Sequence, residues 1–205
     1  MQCFFKKNLQ RLTTTKVHMT PITSIINSLE WHPTKKWAKR TIDKIDTILV
    51  HQAGMVATVE GINKYHITPT SDQDNDGVIE GWERNHLSDT GAPHICYHFV
   101  IDRSGKVYQT NRITDVTWHA KGYNTKGIGI LVNGNFDGPH WSGTEAPTAG
   151  QIRNLKRLLR ILSKKYNIQV DNIKGHGEIN PLKEACPGTL LLNIVQQFRD
   201  ELCTN

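Results

Sequence analysis

Cys186, in Cys186-Pro187-Gly188, follows ten positions after His176, in Gly175-His176-Gly177-Glu178, a spacing that lets one short loop close an imidazole and a thiolate around a metal ion. Zinc suits that pair, because it takes imidazole nitrogen and thiolate sulfur in tetrahedral sites and, when catalytic, keeps three protein ligands with a fourth position for water. The best supplier of a third ligand is His51, which ends the run Thr47-Ile48-Leu49-Val50. An apolar, β-branched run closing on a polar residue reads as a buried strand that delivers its last side chain to a sheet edge. Any fold of this chain therefore has to bring the end of an early strand against a loop far downstream.

The remaining periodicity predicts what surrounds that strand. Residues 58–67 read as a helix opened by Thr58 and weakened by Gly61. Ile95 to Ile101 and Lys106 to Gln109 flank Asp102-Arg103-Ser104-Gly105, which has the chemistry of a hairpin turn. Ile128 to Val132 is a further short strand. Ala149 to Tyr166 is the best-marked helix: Thr148 and Gln151 form a capping box, and Ile152, Leu155, Leu159, Leu162 and Tyr166 recur on one face. An amphipathic helix is expected over Leu190 to Leu202. Strands interleaved with helices predict an α/β fold, a single domain with a central mixed sheet flanked by helices. Residues 1–18 read as a basic arm, 19–43 as an extension packed on the core, and 44–205 as the functional domain.

At 205 residues one such domain can bury a sizeable core. No run of about 18 apolar residues is present, so no transmembrane segment is expected. Nothing near the N-terminus has a signal peptide's apolar centre, so no signal peptide is expected. The net charge of +6 favours polyanionic surroundings such as a cell envelope. Lys and Arg are scattered rather than aligned along one groove, so nucleic acid is not the expected partner. A monomer is expected. Four cysteines are too few for a disulfide framework. Cys96 reads as a small buried hydrophobe, and Cys3 and Cys203 can pair if the termini meet.

Two imidazoles and one thiolate leave a zinc ion enough positive charge to bring the pKa of water to about 7, which favours hydrolysis of a carbonyl compound. A donor for the oxyanion and leaving nitrogen is still needed, and the candidates are Tyr97 and Lys183. Strict alternation in residues 95–101 puts Tyr97 on the face opposite Cys96 and His98. It is either a phenol beside the metal or a buried aromatic with a satisfied hydroxyl. Lys183 precedes Cys186 by three residues and is carried near the ion by the same loop, unless it is only solvated. Separately, residues 72–83 fit a twelve-residue calcium loop: Asp72, Asp74 and Asp76 supply carboxylates, Val78 a carbonyl, Glu80 a direct or water-mediated contact and Glu83 the closing bidentate group, with Gly77 at the turn. The alternative is an acidic, solvated loop. His18, His32, His66, His86, His94, His98 and His140 read as surface or packed imidazoles.

Val50-His51, YHFVIDRSGKVYQ from Tyr97 to Gln109, WHAKGYN from Trp118 to Asn124, IGI at 128–130 and GHGEINPLKEACPG from Gly175 to Gly188 together resemble the zinc-dependent N-acetylmuramoyl-L-alanine amidases, a family that includes amidase-type phage lysozymes and peptidoglycan recognition proteins. The resemblance covers roughly residues 44–200 in the expected order. It implies cleavage of the amide between N-acetylmuramic acid and L-alanine in peptidoglycan, with His51, His176 and Cys186 as zinc ligands and Tyr97 as a catalytic side chain. It also implies that His119 is an active-site or substrate-contacting residue. The family's catalytic lysine stands two residues before the last ligand, where this chain has Glu184; Lys183 is one step further away. The implied role is a phage endolysin that acts on the cell wall after release, with a non-catalytic peptidoglycan-binding module as the alternative. Seen beside phage relatives, the calcium loop is an insertion between His51 and Tyr97.

Overall fold

Strand β2, Thr47–Gln52, is the centre of the molecule because both of its faces are covered and both of its edges are paired. The computed structural model describes residues 21–71, 76–80, 84–85, 87–137 and 145–204. Within them one six-stranded sheet runs in the order β1-β4-β3-β5-β2-β6. The other strands are β1 (Thr23–Ser24), β3 (Phe99–Ile101), β4 (Val107–Gln109), β5 (Gly127–Val132) and β6 (Ile173–Gly175). Only the β3–β4 pair is antiparallel, and β2 lies parallel between β5 and β6. The sheet is therefore mixed, as expected.

Alternation divides that sheet into two chemically different faces. Ile48, Val50, Phe99, Ile101, Ile128, Ile130 and Val132 join one apolar cluster with Leu155, Leu159 and Leu162 of helix α2 (Ala149–Tyr166) and Leu191, Val195 and Phe198 of helix α3 (Thr189–Thr204). Helix α1 (Val59–Ile67) covers part of the other face through Val59 and Ile62, which pack with Val100 and Leu131. All three helices lie where the sequence predicts them. Thr58 caps α1 by accepting the Gly61 N–H at 3.0 Å, and the Thr148–Gln151 capping box opens α2. Gln151 is wholly buried there and also donates to the Asn133 carbonyl at 2.8 Å, so the cap ties the helix to the end of β5.

One expectation changes on folding. The strand anticipated over residues 95–101 is confined to Phe99–Ile101, because side chains satisfy the preceding backbone. Asn63 accepts the Ile95 N–H and His66 accepts the Cys96 N–H, while Asn111 donates to the carbonyls of both Ile95 and Tyr97. With those groups withdrawn from any ladder, the chain bends at Cys96 and His98 and the period of two is lost. The calcium-loop residues Asp72, Asp74 and Glu83 lie outside the described residues. The described Asp76 accepts the Val78 N–H at 2.8 Å, and Gly77 takes φ 89°.

The segment before β2 lies against the core through two buried side chains. Trp37 is buried and donates to Asn111 Oδ1 at 2.8 Å. Arg40 is also buried and donates to the carbonyls of Ile113, Asn124 and Gly127. Burial lowers its pKa to about 10, with Asp115 opposing that shift. Cys96 is free and buried, and burial pushes its thiol above the ordinary range. Cys203 is disulfide-bonded, whereas Cys3, His18, His86 and His140 lie outside the described residues. Among the described residues no helix is long and apolar enough to cross a membrane.

Candidate metal centre and its cavity

His51 reaches the site because β2 ends there, at the carboxyl edge of a mainly parallel sheet, the ordinary location of sites in open α/β folds. His176 arrives from the adjacent strand, since β6 ends at Gly175 and a short 3-10 turn, His176–Glu178, follows at once. Cys186 is brought back by the next loop. Gly177 donates its N–H to the Cys186 carbonyl at 2.5 Å, and Cys186 donates to the Lys183 carbonyl at 2.9 Å. That closeness explains the glycines beside His176. A Cβ on Gly175 would stand 2.6 Å from Pro187 Cδ, and one on Gly177 3.0 Å from the Lys183 carbonyl oxygen. Glu178 secures the turn by accepting the Gly175 N–H at 2.6 Å and pairing with Arg199 at 2.9 Å.

The donor atoms of His51, His176 and Cys186 all lie within 4.8 Å of one another. His51 Nδ1 is 3.7 Å from Cys186 Sγ, so this nitrogen is the one turned to the centre of the cluster. Burial holds the His51 imidazole well below its ordinary pKa, and the neighbouring His119 and His176 add to the effect. His176 is lowered to about 4 by burial and by the Lys183 charge. Both rings are therefore neutral at pH 7, the state that binds metal. Burial pushes the Cys186 thiol up to about 11, while the Gln52 backbone amide opposes the shift. Two neutral imidazoles and a thiol awaiting an electrophilic cation make a donor set that fits zinc.

A cavity of about 530 Å³ opens over the cluster, lined by Tyr97, Trp118, His119, Lys121, Asn180 and Lys183 along with the three donors. Tyr97 stands beside the cluster, its ring centroid 5.1 Å from that of His51. Burial raises its phenol, so it keeps its proton. Its place does not follow from alternation: the bend at residues 96–98 sends both Tyr97 and His98 towards the histidine cluster. Lys183, exposed in a 3-10 turn over Pro181–Lys183, also lines the cavity despite its one-residue offset.

His119 is only 5% exposed and lies at right angles to His51, with 5.3 Å between ring centroids. Both of its nitrogens face protein groups, Nδ1 at 3.2 Å from His51 Nε2 and Nε2 at 3.2 Å from the Gly127 carbonyl. Burial lowers its pKa to about 3. Sequence reasoning passed over the support behind this ring. His66 and His98 are packed imidazoles, as anticipated, yet they also back the site: His66 lies 5.7 Å from the Tyr97 ring and His98 5.9 Å from His119. Arg40 Nη2 stands 2.9 Å from His98 Nε2. The one sequence signal for this layer was Gly-Ile-Gly at residues 127–129, small residues alternating on a single strand face.

A sequence profile of the family described as N-acetylmuramoyl-L-alanine amidase matches residues 41–189. The endolysin of Escherichia phage T7 is 34% identical over 125 residues, 60% of this chain and 76% of that protein. Peptidoglycan-recognition protein SC2 of Drosophila melanogaster is 30% identical over 121 residues, 58% of this chain and 61% of that protein. In three dimensions the chain is similar to the N-acetylmuramoyl-L-alanine amidase LysC from Clostridium intestinale, with a TM-score of 0.61 and 22% identity, covering 90% of this chain and 98% of that one.

Proposed function

Since the chain belongs to the N-acetylmuramoyl-L-alanine amidase family, we propose that it cleaves the amide between N-acetylmuramic acid and L-alanine of bacterial peptidoglycan, as a zinc-dependent endolysin acting at the cell wall. The observation that carries this reading is the convergence of His51, His176 and Cys186 donor atoms within 4.8 Å at the floor of a cavity. Bound there, zinc supplies Lewis acidity that polarises a carbonyl and makes water a stronger nucleophile. The chain's own groups supply the rest. Tyr97, kept protonated by burial, donates a hydrogen bond towards the oxygen on which negative charge develops. The Lys183 ammonium, which also lines the cavity, offers positive charge and a proton to the departing nitrogen. Trp118 and Lys121 give the cavity an apolar surface and a cation for a glycan–peptide substrate. Burial of His51 and His119 at one side of the cavity strengthens the interactions made there.

The likeness to a recognition protein favours a second reading, a module that binds peptidoglycan without cutting it. The complete donor set argues for catalysis. Digestion of purified peptidoglycan followed by mass spectrometry separates the two. New L-alanine amines and free muramic lactyl groups, lost with a chelator and restored by zinc, are expected; tight binding with no new ends would leave the recognition module.

The same reading includes a structural calcium ion held by Asp72, Asp74, Asp76, the Val78 carbonyl and Glu83. It is supported by the twelve-residue spacing and by the left-handed turn at Gly77. Calcium is expected to raise the melting midpoint through binding to the folded state alone, an effect absent in Asp76→Ala.

A further inference from the structure

The ring of His119 is enclosed in a way that fixes which of its nitrogens carries the proton. Its Nε2 is 3.2 Å from the Gly127 carbonyl oxygen, which can only accept, so in the neutral ring Nε2 bears the hydrogen. That carbonyl also accepts from Arg40 Nη1 at 2.8 Å, which its two lone pairs permit. Nδ1 of His119 is then a bare acceptor. It faces His51 Nε2 at 3.2 Å, so the hydrogen of that contact belongs to His51. With Nε2 of His51 protonated, its lone pair is on Nδ1, the nitrogen 3.7 Å from Cys186 Sγ.

We propose that His119 is a positioning residue that selects the metal-binding tautomer of His51: a directed chain runs from the Gly127 carbonyl through both imidazoles and leaves His51 Nδ1 as the free donor at the centre of the cluster. This rests on the zinc reading above and gives His119 a role in holding the metal site in place of contact with substrate. With both nitrogens engaged by the protein, His119 forms part of the cavity wall without having a nitrogen to offer substrate.

Strand β5 is built to hold that ring. A Cβ on Gly129 would lie 2.7 Å from His119 Cγ, and one on Gly127 3.0 Å from its Cε1. Only residues without side chains on this face let the imidazole lie against the sheet within reach of the Gly127 carbonyl. Gly-Ile-Gly thus serves two ends at once, since Ile128 between the glycines packs into the apolar cluster on the opposite face.

Metal-ligating histidines commonly have the other ring nitrogen fixed by such a partner, and its removal costs 10- to 100-fold in metal affinity. The test is zinc affinity by chelator competition on the folded protein, with far-UV circular dichroism to verify folding. His119→Phe, which keeps the ring and loses the acceptor, is expected to weaken zinc binding at least tenfold. His119→Asn, whose Oδ1 can take the place of Nδ1, is expected to stay within a few fold of wild type. Gly129→Ala should weaken binding although every ligand and His119 itself are retained. Long-range ¹H–¹⁵N spectra of metal-free wild type provide a readout that needs no variant, and they should show His51 protonated at Nε2. A His51 protonated at Nδ1, a His119→Phe protein with wild-type affinity, or an Asn variant as weak as the Phe variant would each overturn the inference. A wild type that binds no zinc would instead bring down the functional reading on which it stands.

Discussion

The two faces of the central sheet use the same strands for opposite purposes. Towards α2 and α3, residues Ile48, Val50, Ile128, Ile130 and Val132 form a dry apolar layer. On the other face, around the ends of the same strands, stand His51, His98, His119, Asn111 and Arg40, all nearly excluded from solvent. The first face is held by area removed from water, which depends little on the direction of any one group. Beyond the part that α1 covers with apolar side chains, hydrogen bonds hold the second, and each buried polar atom there requires a particular partner. Substitutions on the apolar face should therefore reduce stability with function intact, whereas those on the polar face should reach function first.

The sharpest break in that comparison is expected from Tyr97→Phe, which removes one hydroxyl beside the donor cluster. Turnover should fall by about 10²- to 10⁴-fold, the range of a lost proton donor, with zinc content and melting midpoint nearly unchanged. Wild-type rates would return Tyr97 to the core. Ile130→Ala is the counterpart on the apolar face. It should cost about 2–5 kcal/mol in urea unfolding while the surviving folded fraction keeps its rate per zinc. Asn111→Ala tests the hydrogen-bonded layer, because the amide serves the carbonyls of Ile95 and Tyr97 and accepts from Trp37. A loss of about 1–3 kcal/mol for each group left unsatisfied is expected, together with reduced turnover as Tyr97 loses its backbone anchor.

Acid should separate the faces without mutation. His119 and His176 have folded-state pKa values lowered to about 3 and about 4, below the unfolded value near 6.5. Between about pH 6.5 and 4 the unfolded chain thus binds protons that the metal-free folded chain does not. Stability should be full above pH 6.5 and decline as the pH falls through that window. A flat apo-protein stability curve from pH 7 to 4 would contradict the buried neutral cluster. The smallest effect is expected from Thr148→Ala, about 1 kcal/mol from the cap of α2, with activity unaffected.

How far the sequence carries can be judged residue by residue. Thr58 and Thr148 open their helices as their side chains predict, because a cap is a local hydrogen bond. The β3–β4 hairpin forms about its Asp-Arg-Ser-Gly turn, with Asp102 accepting the Lys106 N–H at 2.9 Å. That His51, His176 and Cys186 converge was also legible, the first from its strand end and the other two from their spacing. The side taken by Tyr97 was not. Alternation presumes a backbone ladder, and Asn63, His66 and Asn111, remote in sequence, replace that ladder at residues 95–97. Lys183 reaches the cavity despite its offset because the 3-10 turn, not residue count, sets its place.

The chain by itself determined the periods, caps, turns and donor chemistry, since these depend on neighbours a few residues apart. Only the tertiary structure decided that Gly127 and Gly129 open a floor for His119, and that this ring in turn directs His51. The physical reason is that tautomer and ring orientation are set by partners across space, and a carbonyl on a strand becomes such a partner only when close packing lets an imidazole approach it.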